Sequence, residues 1–285
     1  MPRIDKQNIC REVVDSFGRE WQRFDQSGAA AEELDTQFQR YFRVFPWDAL
    51  PENAVGFDLG CGSGRWARFI APRVGELNCI DPSDALEVAR GRLADLTNVR
   101  FHRAGVDDIP LPDGSADFGY SLGVLHHVPD TGLGIAQCVR KLKPGAPLLL
   151  YLYYALENRP YWYRAIWRIT DAMRRLMSRM PAAVKEALAD AIAGLVYWPL
   201  ARFARWREGQ GHSVDGMLLA TYRDKTFYTM RNDALDRFGT RLEKRFTRGE
   251  VESMMRNAGL EQIRFSDSPP FWCAVGIRRR AGECA

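Results

Sequence analysis

The heptapeptide Asp58-Leu-Gly-Cys-Gly-Ser-Gly64 closes an apolar run, Val55-Gly-Phe, and leads directly into a helix-like stretch, Arg65 to Val74. A strand that ends in a glycine turn at the start of a helix lets bare backbone approach a ligand at the edge of a sheet. Glycine is required there because a Cβ would block the approach or forbid the dihedrals. The spacing is GxGxG with an acid two residues before the first glycine, whereas the dinucleotide fingerprint GxGxxG needs a glycine where this chain has Arg65. The loop therefore fits a pyrophosphate poorly. The Asp58 carboxylate suits the cationic end of a ligand better.

Three further elements follow in register. Leu77-Asn-Cys-Ile-Asp81 is a short apolar strand closing on an acid, and such an acid can take both hydroxyls of a ribose. Val99 to Pro110 is a strand and turn ending in Asp107-Asp108, and Ala116 to Val128 is a strand followed by Leu125-His-His. Cys138 to Tyr154 then gives a helix end, a Pro-Gly stop and a buried strand.

With these elements in place the chain resembles the class I S-adenosylmethionine-dependent methyltransferases, in their small-molecule, type 11, ubiquinone C-methyltransferase-like group. The resemblance covers Ala54 to Tyr154 and extends more loosely beyond. It implies an α/β fold: a Rossmann-like seven-stranded sheet with N-terminal helices and a helical insertion after the fifth strand. It also implies S-adenosylmethionine as cofactor and S-adenosylhomocysteine as product. On that pattern Gly60, Cys61, Gly62 and Gly64 shape the methionine pocket and Asp58 holds its cationic end. Asp81 and Pro82 fall at the ribose, and Ser121 and Leu122 complete the cofactor site. Where the family carries an acid against adenine this chain has Gly105, so Asp107 and the Val106 backbone are the expected substitutes.

The 285 residues suit one α/β domain plus an elaboration, and a hydrophobic fraction of 46% allows a full core. Residues 1–50 are expected as a helical cap, built from two amphipathic helices, Arg11 to Phe24 and Ala29 to Phe42, broken at Gly28. Residues 51–154 are the cofactor-binding core, 155–245 a mostly helical insertion and returning loop, and 246–285 the last helix and closing hairpin. Between Ala155 and Gly209 lie four of the eight tryptophans and ten Lys plus Arg against five acids. Two helices, Tyr161 to Met180 and Ala182 to Arg207, are the simplest reading, as a lid over the acceptor. The same mixture also fits a plain helical hairpin or a patch making weak membrane-surface contact. Asp215 to Thr240 reads as a loop-rich return.

The net charge of +4 does not point to nucleic acid. Six cysteines without a CxxC pair, no apolar leader and no membrane-length apolar run lead to the expectation of a cytoplasmic, soluble protein with reduced thiols. The oligomeric state is not legible.

A hydroxyl acceptor needs a base, and His126 and His127, just after the fourth strand, are the candidates. In similar O-methyltransferases a histidine of this run has that role. Adjacent histidines diverge in any regular element, and no carboxylate cluster accompanies them, so no metal is expected. Trp21 at the end of the Phe17-Trp21-Phe24 stripe, and Tyr222, Tyr228, Asp233 and Asp236 in the return, are candidate acceptor contacts. The leading expectation is O-methylation of a hydroxylated metabolite, sugar or natural product. The alternatives are C-methylation of a quinone- or lipid-like acceptor, or a catalytically silent cofactor-binding partner protein.

Overall fold

The structure is a computed structural model that describes residues 8–24, 28, 30–214 and 216–280. Cys284, Asp215 and the Met1–Gln7 stretch lie outside the described residues.

Seven strands, β1 (Val55–Leu59), β2 (Glu76–Ile80), β3 (Val99–His102), β4 (Phe118–Leu122), β5 (Pro147–Tyr151), β6 (Leu260–Phe265) and β7 (Cys273–Arg278), form one sheet in the order β3-β2-β1-β4-β5-β7-β6. The first five strands are parallel, and β7 is antiparallel to both its neighbours. This is the Rossmann-like arrangement expected from the sequence. Parallel strands covered on both faces must be apolar nearly throughout, as β4 is, every residue of it buried. The strand order reverses between β1 and β4, and the crevice at their carboxyl ends is where open α/β sheets take ligands.

Two reciprocal pairs fix the register at that centre. Gly56 stands opposite Phe118, and Phe57 opposite Gly119. A Cβ on Gly56 would lie 2.1 Å from the Phe118 ring, and one on Gly119 2.2 Å from the Phe57 ring. Side chains alternate along a strand, so the two rings occupy opposite faces. Each uses the space a missing side chain leaves, and a one-residue slip would set ring against ring.

The helices are α1 (Arg11–Arg23), α2 (Ala31–Tyr41), α3 (Ala67–Ile70), α4 (Ala85–Arg92), α5 (Thr131–Lys141), α6 (Tyr161–Met177), α7 (Ala182–Ile192), α8 (Trp198–Gly209), α9 (Phe227–Gly239) and α10 (Arg248–Asn257). The helix expected over Arg65 to Val74 is shorter, because the chain tightens into a 3-10 turn at Ala71–Arg73 that contains Pro72. Thr247 and Glu250 form a capping box at the start of α10. The chain divides into two compact units, one made of Met1–Gln22, Thr36–Asn158 and Leu242–Ala285, the other of Arg23–Asp35 and Arg159–Arg241.

The second unit is helical, with a core of Phe24, Ala189, Ala193, Tyr197, Ala201, Met230, Ala234 and Leu235. Small residues on α7 and α8 let helices approach closely. The single helix expected over Ala182 to Arg207 widens into a π turn at Ala193–Tyr197, just ahead of Pro199, which cannot donate a helical hydrogen bond. The expected loop-rich return between Asp215 and Thr240 is corrected, since half of that span is α9. Thr226 caps that helix by accepting from the Thr229 N–H, and Met230, Ala234, Leu235 and Phe238 give it a buried stripe. Cations close its other end: Lys185 Nζ donates to the Gly239 carbonyl at 3.4 Å and Arg174 Nη1 to the Thr240 carbonyl at 2.9 Å.

Candidate active site

Gly60, Gly62 and Gly64 all take left-handed φ values, 77°, 53° and 73°. The Gly60 and Cys61 N–H groups both donate to the Ile80 carbonyl, at 2.7 and 3.2 Å, which folds the loop over the end of β2. A Cβ on Gly60 would lie 2.4 Å from Val124, one on Gly62 3.0 Å from the Trp21 indole, and one on Gly64 2.7 Å from Leu93. Conformation and crowding both demand glycine.

Beneath this loop Asp58 is 1% exposed, and its Oδ2 has no hydrogen-bond partner. Burial pushes its carboxyl up to about 8; the Tyr120 hydroxyl pulls the other way, the Asp81 charge adds to the rise, and Arg65 tempers it. An ammonium group would supply the missing partner and favour the ionised form. An orphaned acid under a glycine cradle thus fits the cationic amino-acid end of S-adenosylmethionine.

Asp81 is committed differently. Its Oδ2 accepts from the Gly62 N–H at 2.9 Å, and its Oδ1 from the Ser83 N–H at 2.8 Å and the Ser83 hydroxyl at 2.6 Å. Burial raises its carboxyl, against these bonds and Arg103. A carboxylate has about four lone-pair sites, so Asp81 braces the glycine loop and keeps one site for a further donor. Pro82 follows it, half-buried. The neighbouring Cys79 thiol, with burial, pushes the Cys61 thiol well up, so it is a packed thiol rather than a reactive one. Ser121 donates its hydroxyl to the Leu59 carbonyl at 2.9 Å, tying β4 to the loop, and Leu122 is buried beside it.

At Gly105 the room for a side chain is taken by Ile9. A Cβ there would lie 2.2 Å from Ile9 Cδ1. The N-terminal segment crosses this turn and is clamped down: the Asn8 N–H donates to Asp107 Oδ2, and Asn8 exchanges two hydrogen bonds of 2.6 Å with the Asp130 backbone. Asp107 Oδ1 is buried without a partner, and Val106 is buried next to it. Nothing in the sequence pattern pointed to Asn8 or Ile9.

Helix α1 lies across the same ends of the sheet. The Phe17 ring is 5.0 Å from that of His127, and a Cβ on Gly18 would meet the Asp84 nitrogen at 3.4 Å. Trp21 stands at Gly62, and the Arg65 guanidinium lies 5.5 Å from its ring and 4.3 Å from that of Trp66. Of the expected stripe, Trp21 packs on the cofactor loop and Phe17 on His127, whereas Phe24 belongs to the core of the second unit.

His126 and His127 form a 3-10 turn after β4, and Val124, just before them, packs on Gly60. The expectation that adjacent histidines diverge is overturned: in this tight turn their ring centroids are 4.0 Å apart. His126 is fully buried, stacked on Tyr153 at 3.8 Å, with neither ring nitrogen hydrogen-bonded. Burial, then the neighbouring His127 and Arg245, holds its imidazole well below the usual range, so it is neutral. His127 Nδ1 lies 2.6 Å from the Leu242 carbonyl. A carbonyl only accepts, so Nδ1 donates there, and in the neutral ring the lone pair falls on Nε2, which is buried without a partner. The Leu242 carbonyl arrives from 115 residues away and left no trace in the sequence pattern.

Tyr222, Tyr228, Asp233 and Asp236 all belong to the second unit. Asp233 accepts from Lys225 Nζ at 3.2 Å, and that ammonium lies 4.5 Å from the Tyr222 ring centroid. Burial, then the Asp233 charge, pushes the Tyr222 hydroxyl well up. Tyr228 packs edge-on against Phe24, and Thr240 donates to the Asp236 carbonyl. The two acids are helix residues with structural partners rather than solvated loop carboxylates.

Residues 57–150 match the family described as Methyltransferase domain. The chain is 35% identical over 108 residues to an uncharacterized 37.1 kDa protein in transposon TN4556 of Streptomyces fradiae; the match covers 36% of this chain and 31% of that protein's length. It is 28% identical over 179 residues to the ubiquinone biosynthesis O-methyltransferase of Xanthomonas oryzae pv. oryzae, covering 62% of this chain and 71% of the relative. The methyltransferase solved in complex with the Haloferax volcanii Trm112 methyltransferase activator shares the fold, with 16% identity, a TM-score of 0.51 and coverage of 94% of this chain and 100% of that one. The domain match over residues 57–150, the ubiquinone biosynthesis O-methyltransferase among its relatives and the order of the sheet agree on a methyltransferase domain with the class I, Rossmann-like fold.

Proposed function

We propose that this protein methylates a hydroxyl group of a small organic acceptor, such as a hydroxylated metabolite, sugar or natural product, with His127 Nε2 taking the hydroxyl proton. The observation that carries this reading is the His127 ring in the turn after β4, whose tautomer is set by the Leu242 carbonyl and whose Nε2 is left buried and unpaired. When bound, the cofactor supplies an electrophilic methyl group. Asp58 would hold its ammonium, the last lone pair of Asp81 a ribose hydroxyl, and Asp107 Oδ1 the adenine amino group. The neutral His126 beneath makes room for a proton on His127 only, because two charged rings 4.0 Å apart would repel. A positioned base is worth about 10²- to 10⁴-fold on a hydroxyl that is otherwise a poor nucleophile. The relative named as an O-methyltransferase of ubiquinone biosynthesis supports oxygen as the acceptor atom. Trp21, Tyr222, Tyr228, Asp233 and Asp236 remain proposed acceptor contacts.

The test is methyl transfer from labelled S-adenosylmethionine to a panel of phenols, sugars and hydroxylated quinone precursors, with S-adenosylhomocysteine binding followed by calorimetry. His127→Gln should lower kcat by about 10²-fold or more while leaving product affinity within about threefold, and the loss should shrink for the more acidic phenols. Methyl recovered on carbon or nitrogen would overturn the oxygen assignment. An unchanged kcat in His127→Gln would overturn the base, and failure of both ligands to bind would overturn transfer itself.

A further inference from the structure

Helix α6 turns an apolar stripe outward. Trp162, Ile166, Ile169, Met173 and Leu176 recur at alternating intervals of four and three, the spacing of one helix face, and all five are exposed, Ile169 and Leu176 at 64%. At 1.5 Å per residue this stripe runs for about 21 Å. The opposite face, with Asp171 and Arg174, is buried, and so is Met177 at the stripe's flank. Arg168 and Arg175, with Arg179 in the turn that follows, are exposed along one edge of the stripe. Asp171 is the sole acid of the helix; its carboxylate is turned inward and bound by Arg174 and Arg175 at 2.8 and 2.9 Å. The exposed arc therefore carries no negative charge.

We propose that α6 docks on an anionic phospholipid bilayer surface, with the apolar stripe entering the headgroup boundary and Arg168, Arg175 and Arg179 resting on lipid phosphates. Charge decides among occupants. A second copy seated stripe to stripe would set these arginines against the same arginines, with no exposed acid on either helix to pair with them. A nucleic acid would neutralise the arginines but leave the aliphatic residues in water. An anionic membrane satisfies both features, and Tyr161 and Trp162, exposed at the start of the helix, are side chains enriched at that boundary. The helix is laid on the surface rather than through it: among the described residues no helix is long and apolar enough to cross a membrane. The inference is independent of which acceptor is methylated.

The full chain should co-sediment with phosphatidylglycerol-containing vesicles and not with pure phosphatidylcholine vesicles, and high salt should weaken the association. The double variant Ile169→Asp/Leu176→Asp should lose about tenfold or more in partitioning, and Arg168→Glu/Arg179→Glu about fivefold or more. Far-UV circular dichroism and S-adenosylhomocysteine binding establish that each variant is folded; if the apolar pair is not, the arginine pair alone decides. The proposal fails if the wild type ignores anionic vesicles or if folded variants sediment like wild type. It also fails if sedimentation velocity shows a dimer that the apolar pair dissolves, or if single-stranded RNA displaces the protein from vesicles and binds through the stripe.

Discussion

The two units of this molecule depart from ordinary packing in different ways. In the first, the anomalies are polar and inside: Asp58 Oδ2, Asp107 Oδ1, both nitrogens of His126 and Nε2 of His127 are buried without partners. The second also buries polar atoms without partners, Arg202 Nε and Asn232 Oδ1 among them, but its distinguishing anomaly is apolar and outside. Among the described residues, the large exposed hydrophobics outside this unit come down to Leu133, while Tyr161, Ile169, Leu176, Leu195, Phe203 and Trp206 are all its own. An unpaired buried carboxylate or imidazole is costly unless something polar completes it. An exposed apolar stripe is tolerated only where something apolar covers it. On the readings proposed above, the first unit would take a polar ligand and the outward stripe of the second would rest on an apolar boundary.

Substitutions with opposite consequences in the two units sharpen the contrast. The largest effect is expected at Gly56→Ala, whose new Cβ would meet the Phe118 ring at 2.1 Å; it should destabilise the fold by about 2–3 kcal/mol in urea unfolding. Ile169→Asp, on the exposed stripe, should stay within about 0.5 kcal/mol. Comparable losses at the two positions would erase the distinction.

A second effect is electrostatic. With its carboxyl at about 8, Asp58 is protonated near neutrality, and binding an ammonium must release that proton. Affinity for S-adenosylhomocysteine should then rise with pH from 6 towards 8, by up to tenfold or about 1.4 kcal/mol per pH unit. Calorimetry in buffers of different ionisation enthalpy reads the released proton directly. Asp58→Asn should bind weakly with no slope, and the stripe variant should keep the wild-type slope.

The smallest effect concerns His126. Its folded imidazole is held below the usual 6.5, so the stability it contributes is present above that pH and is lost as pH falls, when only the unfolded chain takes the proton. Between pH 6.5 and 5 the wild type should lose about 1–2 kcal/mol relative to His126→Phe, which keeps the stack on Tyr153, because the raised Asp58 carboxyl acts alike in both proteins.

Where the signal was local, the sequence carried it. The glycine loop, the Asp81 strand, the Thr247 capping box and the apolar runs of the parallel strands each depend on neighbours within a few residues. Helix α9 was misread because its polar face, Asn232, Asp233 and Asp236, outweighed the Met230, Ala234, Leu235 and Phe238 stripe that packing rewards. The partners that define the site are distant in the chain. Leu242 fixes the His127 tautomer across 115 residues, and Asn8 reaches Asp107 across 99. Backbone carbonyls carry no residue signature, so such pairings are invisible until the chain is folded. The direction of the α6 stripe was equally hidden, because periodicity shows that a face exists and burial alone shows which way it turns.

The reciprocal Phe and Gly pairs of β1 and β4 also constrain how this sequence can change over generations. Neither glycine can gain a side chain while its facing ring remains, and neither ring can shrink without opening a hole, so each single step passes through a weakened protein. Positions 56 and 118, and 57 and 119, should therefore be inherited as couples, and Gly56→Ala combined with Phe118→Leu should recover stability that either change alone forfeits.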